Sequence, residues 1–252
     1  MNGRLAVIGL GPGAASLRTG EAETELASAD VLYGYGPYLD RVEARPDQVK
    51  IASDNRVELD RARAALAHAA RGGRVAMVSG GDPGVFAMAS AVCEAIEHGP
   101  TEWRSLDLAI IPGVTAMLAV AAACGAPLGH DFCAMSLSDN LKPWSLVETR
   151  LRAAASAGFT IALYNPISRA RPWQLPAAFT LLRDILAADV PVIFGHAIGR
   201  AGGHVTITPL AEANAGAANM ATLIIIGTAE TRLIKRPGLQ PLVYAPRSAG
   251  GA

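Results

Sequence analysis

Three short apolar runs in the first half of the chain each break off in a turn of glycine and proline. Arg4–Leu10 ends in Gly11-Pro12-Gly13, Arg74–Ser79 in Gly80-Gly-Asp-Pro-Gly84, and Leu106–Ile111 in Pro112-Gly113. All three predict strands, and Arg4–Leu10, a compact apolar run, predicts a buried one. The segments between these runs are rich in Ala, Leu, Glu and Arg. Thr19 to Ala29 reads as a helix with Glu21 and Glu23 in its first turn, where carboxylates complement the dipole. Asn55-Arg-Val-Glu58 reads as a capping box opening a helix that runs to Arg71 and stops at Gly72-Gly73. This alternation is the pattern of an α/β protein.

Beyond Gly113 a second alternating set begins. An Ala-rich helix, Thr115–Cys124, leads to Gly125-Ala-Pro127, and strands are predicted at Phe132–Leu137, Phe159–Tyr164, Val190–His196, His204–Thr208 and Ala221–Gly227. Two α/β domains are therefore expected, 1–114 and 115–247, with a flexible tail at 248–252.

Composition narrows the function. The 252 residues carry 22 basic and 22 acidic side chains, which argues against a nucleic-acid partner that needs a basic excess. The apolar stretch around Ile110 to Ala126 is broken by Pro112, Gly113 and Gly125, so no membrane span is expected. The N-terminus enters the first strand without a basic region or cleavage-like site, and no signal peptide is expected. Cys93, Cys124 and Cys133 form no metal-like spacing and lie in apolar surroundings. They predict buried thiols in a reducing, cytoplasmic setting. His130, His196 and His204 share no ligand spacing either, so no protein-held metal is expected.

The glycine turns are the candidate chemistry. Gly9-Leu-Gly-Pro-Gly13 with Ala14 satisfies a loose dinucleotide fingerprint. However, Pro12 removes a backbone donor, and Asp30, the candidate ribose carboxylate, precedes the next apolar run and does not end it. Gly80-Gly-Asp-Pro-Gly84 stands at a strand's carboxyl end, where open α/β sheets bind ligands. Asp82 there reads either as a ligand acceptor or as the cap of a helix starting near Val85. Pro112-Gly-Val-Thr-Ala116 is a third such turn, with Thr115 a cap or a ligand hydroxyl. Three turns from three strands are expected to converge on one crevice.

These residues resemble the tetrapyrrole (uroporphyrin/corrin) methyltransferase family. The motifs run in the same order: Gly9-Leu-Gly-Pro-Gly13, Gly80-Gly-Asp-Pro83, Ile111-Pro-Gly-Val-Thr-Ala116, Tyr164-Asn-Pro166 and Thr222-Leu-Ile-Ile-Ile-Gly227. Tyr33-Gly-Tyr35, Ser79 to Ala87, Ser136-Leu-Ser-Asp139 with Pro143-Trp144, and Tyr164 to Arg169 are most similar to its precorrin-3B C17-methyltransferase branch. Lys235-Arg-Pro-Gly-Leu-Gln240 departs from the basic-Pro-Arg-Gly ending of that group.

The resemblance implies two α/β domains with S-adenosyl-L-methionine between them, a homodimer, and C-methylation of a corrin precursor with ring contraction in cobalamin biosynthesis. Carried over by motif, Pro12, Gly80, Gly81, Asp82, Val85, Thr115, Ala116, Tyr164, Asn165, Gly195, Ala221 and Thr222 would hold the donor. For Gly195 and Thr222, strand-end packing is the competing explanation. Ring contraction calls for an acid–base group, for which Asp139 and Lys142 are the candidates. The same segment is also explained as a turn into a helix with Pro143 at N1. A substrate bearing several carboxylates calls for cations and donors, so Arg56, Ser136, Ser138 and Arg169 are expected on the acceptor side. Other acceptors within the family, a nicotinamide-dependent oxidoreductase and a non-catalytic tetrapyrrole carrier remain as competing readings.

Overall fold

A computed structural model describes residues 3–54 and 57–248. Arg56 and Asn55 lie outside the described residues, as does all but the first residue of the expected tail. The chain divides into two compact units, Met1–Thr115 and Ala116–Ala252.

The first unit comprises β1 (Arg4–Gly9), α1 (Gly20–Ser28), β2 (Val31–Tyr35), α2 (Gly36–Leu39), β3 (Val49–Ser53), α3 (Glu58–Ala70), β4 (Arg74–Ser79), α4 (Met88–Glu97) and β5 (Asp107–Ile111). All its strand pairings are parallel, in the order β3-β2-β4-β1-β5. The continuous apolar character of β1 follows from its two covered faces. Leu5 and Val7 pack with Ala62, Leu66 and Val92 of α3 and α4. Ala6 and Ile8 point the other way, onto Ala22 and Leu26 of α1. Thr19 caps α1 by accepting the Ala22 N–H at 3.1 Å. The helix of the expected capping box begins at Glu58 with Val57 at its N-cap, so Glu58 is the first helical residue and not the third.

The second unit comprises α5 (Ala116–Cys124), β6 (Gly125–Ala126), β7 (Phe132–Ser136), α6 (Trp144–Ser156), β8 (Thr160–Tyr164), α7 (Gln174–Arg183), β9 (Pro191–His196), β10 (His204–Pro209), β11 (Thr222–Ile226), β12 (Arg232–Arg236) and β13 (Leu239–Tyr244). Its larger sheet, β10-β9-β11-β8-β7, is mixed: β7 runs parallel to β8, and the other pairs are antiparallel. Again the two faces separate by alternation. Ile161 and Leu163 of β8 pack against Leu151 of α6 and Phe179 of α7, whereas Ala162 joins Val120 and Cys124 of α5. A further small sheet, β12-β13-β6, uses the segment around Lys235 that sequence reading set aside as an atypical ending.

Several expectations need correction. Pro143 is the N-cap of α6 and Trp144 its first residue, a shift of one position. The helix after the second glycine turn begins at Met88, not near Val85, because Pro83 to Ala87 form an irregular loop containing Phe86 at φ 53°. Of the three thiols, Cys124 is buried and Cys133 half-buried, but Cys93 is exposed, on the outer side of α4.

Candidate functional site

At the carboxyl ends of β1, β4 and β5 the three glycine turns meet. Because β1 lies between β4 and β5, the turns leave neighbouring strands on the same edge. Gly11 N–H donates to Gly81 O at 3.1 Å and Gly81 N–H to Gly11 O at 2.9 Å. Both glycines sit in the left-handed region, at φ 66° and 68°, where a Cβ is strained. A Cβ on Gly9 would lie 2.7 Å from both Gly113 N and Gly81 O, so the crossing admits no side chain there.

Asp82 spans this crossing. Its Oδ1 accepts Gly84 N–H at 2.8 Å and its Oδ2 accepts Gly113 N–H at 3.0 Å, tying the second turn to the third. It therefore orders the loop and does not cap the following helix. Each carboxylate oxygen retains a second acceptor site. Arg41 holds the first turn, where its Nη2 reaches Leu10 O and Gly11 O at 2.8 Å and Gly13 O at 3.1 Å. Asp30 stands at the opposite end of the sheet, ahead of β2, with its Oδ2 on Arg74 N–H at 3.3 Å. The strand order also places β4 between β1 and β2, unlike a dinucleotide-binding sheet. Both observations count against the nicotinamide reading.

In the second unit a polar cluster forms after β7 and β8. Ser136 Oγ accepts from Asn165 Nδ2 at 3.0 Å and from Ser138 N–H at 3.3 Å. Lys142 Nζ donates to Ser138 O at 3.1 Å, and Arg171 Nη1 to Asn165 O at 2.9 Å. Gln174 Nε2 reaches both Asp139 oxygens, at 3.0 and 3.1 Å. Burial, followed by the nearby Arg150 charge, holds the Lys142 ammonium below its usual range, while Asp139 pulls the other way. Burial likewise lowers Arg171, again against the attraction of Asp139. One carboxylate thus lies among several cations, an arrangement suited to recognising an acidic ligand and to moving a proton.

Tyr164 closes β8 and its hydroxyl accepts Met117 N–H at 3.1 Å, satisfying a free donor in the first turn of α5. Asn165, next in sequence, has φ 50°, and Ala197, after β9, has φ 45°. With Phe86 they are the non-glycine residues in the left-handed region among the described residues, and each follows a strand's carboxyl end. Such strain clusters at functional loops.

The family model for Tetrapyrrole (Corrin/Porphyrin) Methylases matches residues 4–214. The chain belongs to this family. It is 63% identical over 252 residues to a Precorrin-3B C(17)-methyltransferase of Sinorhizobium sp, covering 100% of this chain and 99% of that one. It is 44% identical over 251 residues to Cobalamin biosynthesis protein CobIJ of Mycobacterium tuberculosis (strain ATCC 25618 / H37Rv), covering 98% of this chain and 48% of that longer protein. Among solved structures, the crystal structure of the methyltransferase CobJ superposes with TM-score 0.92 at 46% identity, covering 97% of this chain and 100% of that chain.

Within this tetrapyrrole methylase, the expected residues separate into two groups. Pro12, Gly80, Gly81, Asp82 and Val85 gather at the crossing of the first unit, with buried Thr115 at the end of its last turn. Ser136, Ser138, Asp139, Lys142 and Asn165 share the cluster of the second, while Tyr164 turns to α5, which Ala116 opens. Arg169 is exposed and makes none of the cluster's bonds. Gly195 is explained by packing, since a Cβ there would collide with Val120 of α5. Thr222 is buried, its Oγ1 accepting Asn219 N–H at 3.0 Å and lying 3.4 Å from His196 Nδ1. Ala221 is exposed, and its carbonyl accepts Ala197 N–H at 2.9 Å.

Sequence reading missed Arg41, Phe86 and Gln174. Gln174 is 2% exposed, and its Oε1 has no hydrogen-bond partner among the described residues. A buried acceptor left unpaired costs about 1–3 kcal/mol. Glutamine amid apolar neighbours at a helix start was the one available signal.

Among the described residues, no group of three or more His, Cys, Asp or Glu side chains is placed to hold a metal ion. No described helix is long and apolar enough to cross a membrane.

Proposed function

We infer that the chain uses S-adenosyl-L-methionine to methylate C17 of precorrin-3B, with contraction of the macrocycle, in cobalamin biosynthesis. The full-length 63% identity to a protein of that name carries this reading. The geometry of both clusters supports it.

The donor's sulfonium supplies an activated methyl group, so the protein's task is mainly alignment, which is worth up to about 7–11 kcal/mol in favourable systems. Gly9, Gly81 and Gly113 let the three turns approach one another closely, and Asp82 keeps acceptor capacity for a hydroxyl or an ammonium, which supports a ligand site here. Pro12, Gly80, Gly81, Asp82, Val85 and Thr115 would hold the donor from the first unit. Ala116, Tyr164, Asn165 and Ala221 would hold it from the second. Gly195 and Thr222 would support these through packing.

For the acceptor, Ser136, Ser138 and Lys142 would bind substrate carboxylates and carbonyls, and Arg56 and Arg169 are proposed as further cations for them. Asp139 would take and return a proton during contraction. The reading includes a cytoplasmic setting and a homodimer; exposed Leu233, Ile234 and Leu239 of β12 and β13 support the dimer, and sedimentation tests it.

Turnover of precorrin-3B with isotopically labelled donor decides the matter. The expected product carries the label and the absorption spectrum of a contracted ring. Labelled but uncontracted product from the wild-type chain would reassign it to another C-methylation. Colour on mixing without label incorporation would make it a carrier.

A further inference from the structure

Gln174 is the first residue of α7 and lies in the interior of the second unit. Its amide nitrogen reaches both oxygens of Asp139, and its amide oxygen is buried with no partner among the described residues. An apolar residue would fill this position without stranding a polar atom, so the contact with Asp139 is what the amide contributes. Asp139 lies 35 residues away in sequence, on the loop that leaves β7, and its charge acts on Lys142 and Arg171 alike.

We propose that Gln174 is a positioning residue that presents Asp139 for proton transfer in the ring-contraction step. The inference rests on the reading of Asp139 given above. Contact with both oxygens fixes the carboxylate's rotation and leaves its outward lone pairs to face a substrate hydroxyl. When Asp139 takes that proton, the substrate O–H bond breaks, its electron pair stays on oxygen, and a new O–H forms on the carboxyl. The new O–H faces the substrate oxygen, while Gln174 Nε2 continues to donate to the carboxyl group and holds its rotation. Release of the proton to water restores the starting arrangement.

The test compares Gln174→Met and Gln174→Leu with Asp139→Asn, using labelled donor and precorrin-3B. Mass and absorption spectra report the ratio of contracted to uncontracted methylated product. In both Gln174 variants the ratio is expected to fall about tenfold or more, a smaller loss than the roughly 10²–10⁴-fold that an acid–base group itself contributes. The melting temperature is expected to hold or rise. An unchanged ratio overturns the proposal, as does an equal loss of methylation and contraction accompanied by lowered melting, which marks packing alone. If Asp139→Asn abolishes contraction while the Gln174 variants retain it, only Gln174's role falls. If Asp139→Asn contracts normally, the reading of Asp139 falls and this proposal with it.

Discussion

The Asp82 carboxylate accepts the Gly113 N–H at 3.0 Å and so joins turns that are 31 residues apart in the chain. Close packing of the turns explains why Gly113 is glycine, since a Cβ there would press on the backbone of Gly9 and Gly81. The order of the second and third turns thus depends on the Asp82–Gly113 contact.

Asp82→Ala removes two backbone hydrogen bonds to a charged acceptor. It is expected to lower stability by about 1–3 kcal/mol and to raise the dissociation constant for S-adenosylhomocysteine about tenfold. Thermal unfolding and calorimetry measure the two effects separately. Reduced melting with unchanged affinity would confine Asp82 to loop structure.

Tyr164→Phe deletes the hydroxyl that accepts Met117 N–H while keeping the ring. The loss should resemble that of a helix cap, about 1 kcal/mol. Denaturant unfolding is the measurement, and a loss below a few tenths would mean water replaces the hydroxyl.

Gly195→Ala should destabilise the second unit by about 1–3 kcal/mol through overpacking against Val120. Val120→Ala vacates that space, so the double variant should recover much of the combined loss. A double-mutant cycle reads the coupling directly. Purely additive losses would show that Gly195 serves something other than this packing.

Burial pushes the Cys124 thiol from an ordinary value of 9.0 to about 11. The folded state therefore keeps this proton after the unfolded chain has released it. The associated stability, roughly 2–3 kcal/mol, is complete below pH 9 and disappears as pH rises towards about 11. Unfolding midpoints across that window should fall in the wild type and less steeply in Cys124→Ala. At pH 8 a thiol reagent should label exposed Cys93 ahead of buried Cys124, and the reverse order would contradict the packing of α5.

Much of the architecture was legible locally. The apolar runs became strands within a residue or two of their expected limits; in β1, β4 and β11 this is because a strand covered on both faces leaves an unbroken hydrophobic signature ended by its turn, whereas β5, β7 and β10 are only partly covered. The hairpin of β12 and β13 was not read, since Leu233-Ile234 is flanked by Arg232 and Lys235-Arg236, which is neither a continuous apolar run nor a strict alternation, and β12 is almost wholly exposed. The start of α4 was misplaced because Asp82 had competing local and distant partners.

Taken alone, the sequence determined the α/β class, the glycine turns and the motif order of the family, all of which depend on residues within a few positions of one another. Tertiary structure decided that β4 enters between β1 and β2, that Gly9, Gly81 and Gly113 share one crossing, and that Gln174 grips Asp139. These are pairings between distant segments. Their free energy comes from packing and from hydrogen bonds formed only once the sheets assemble, so no local pattern records them.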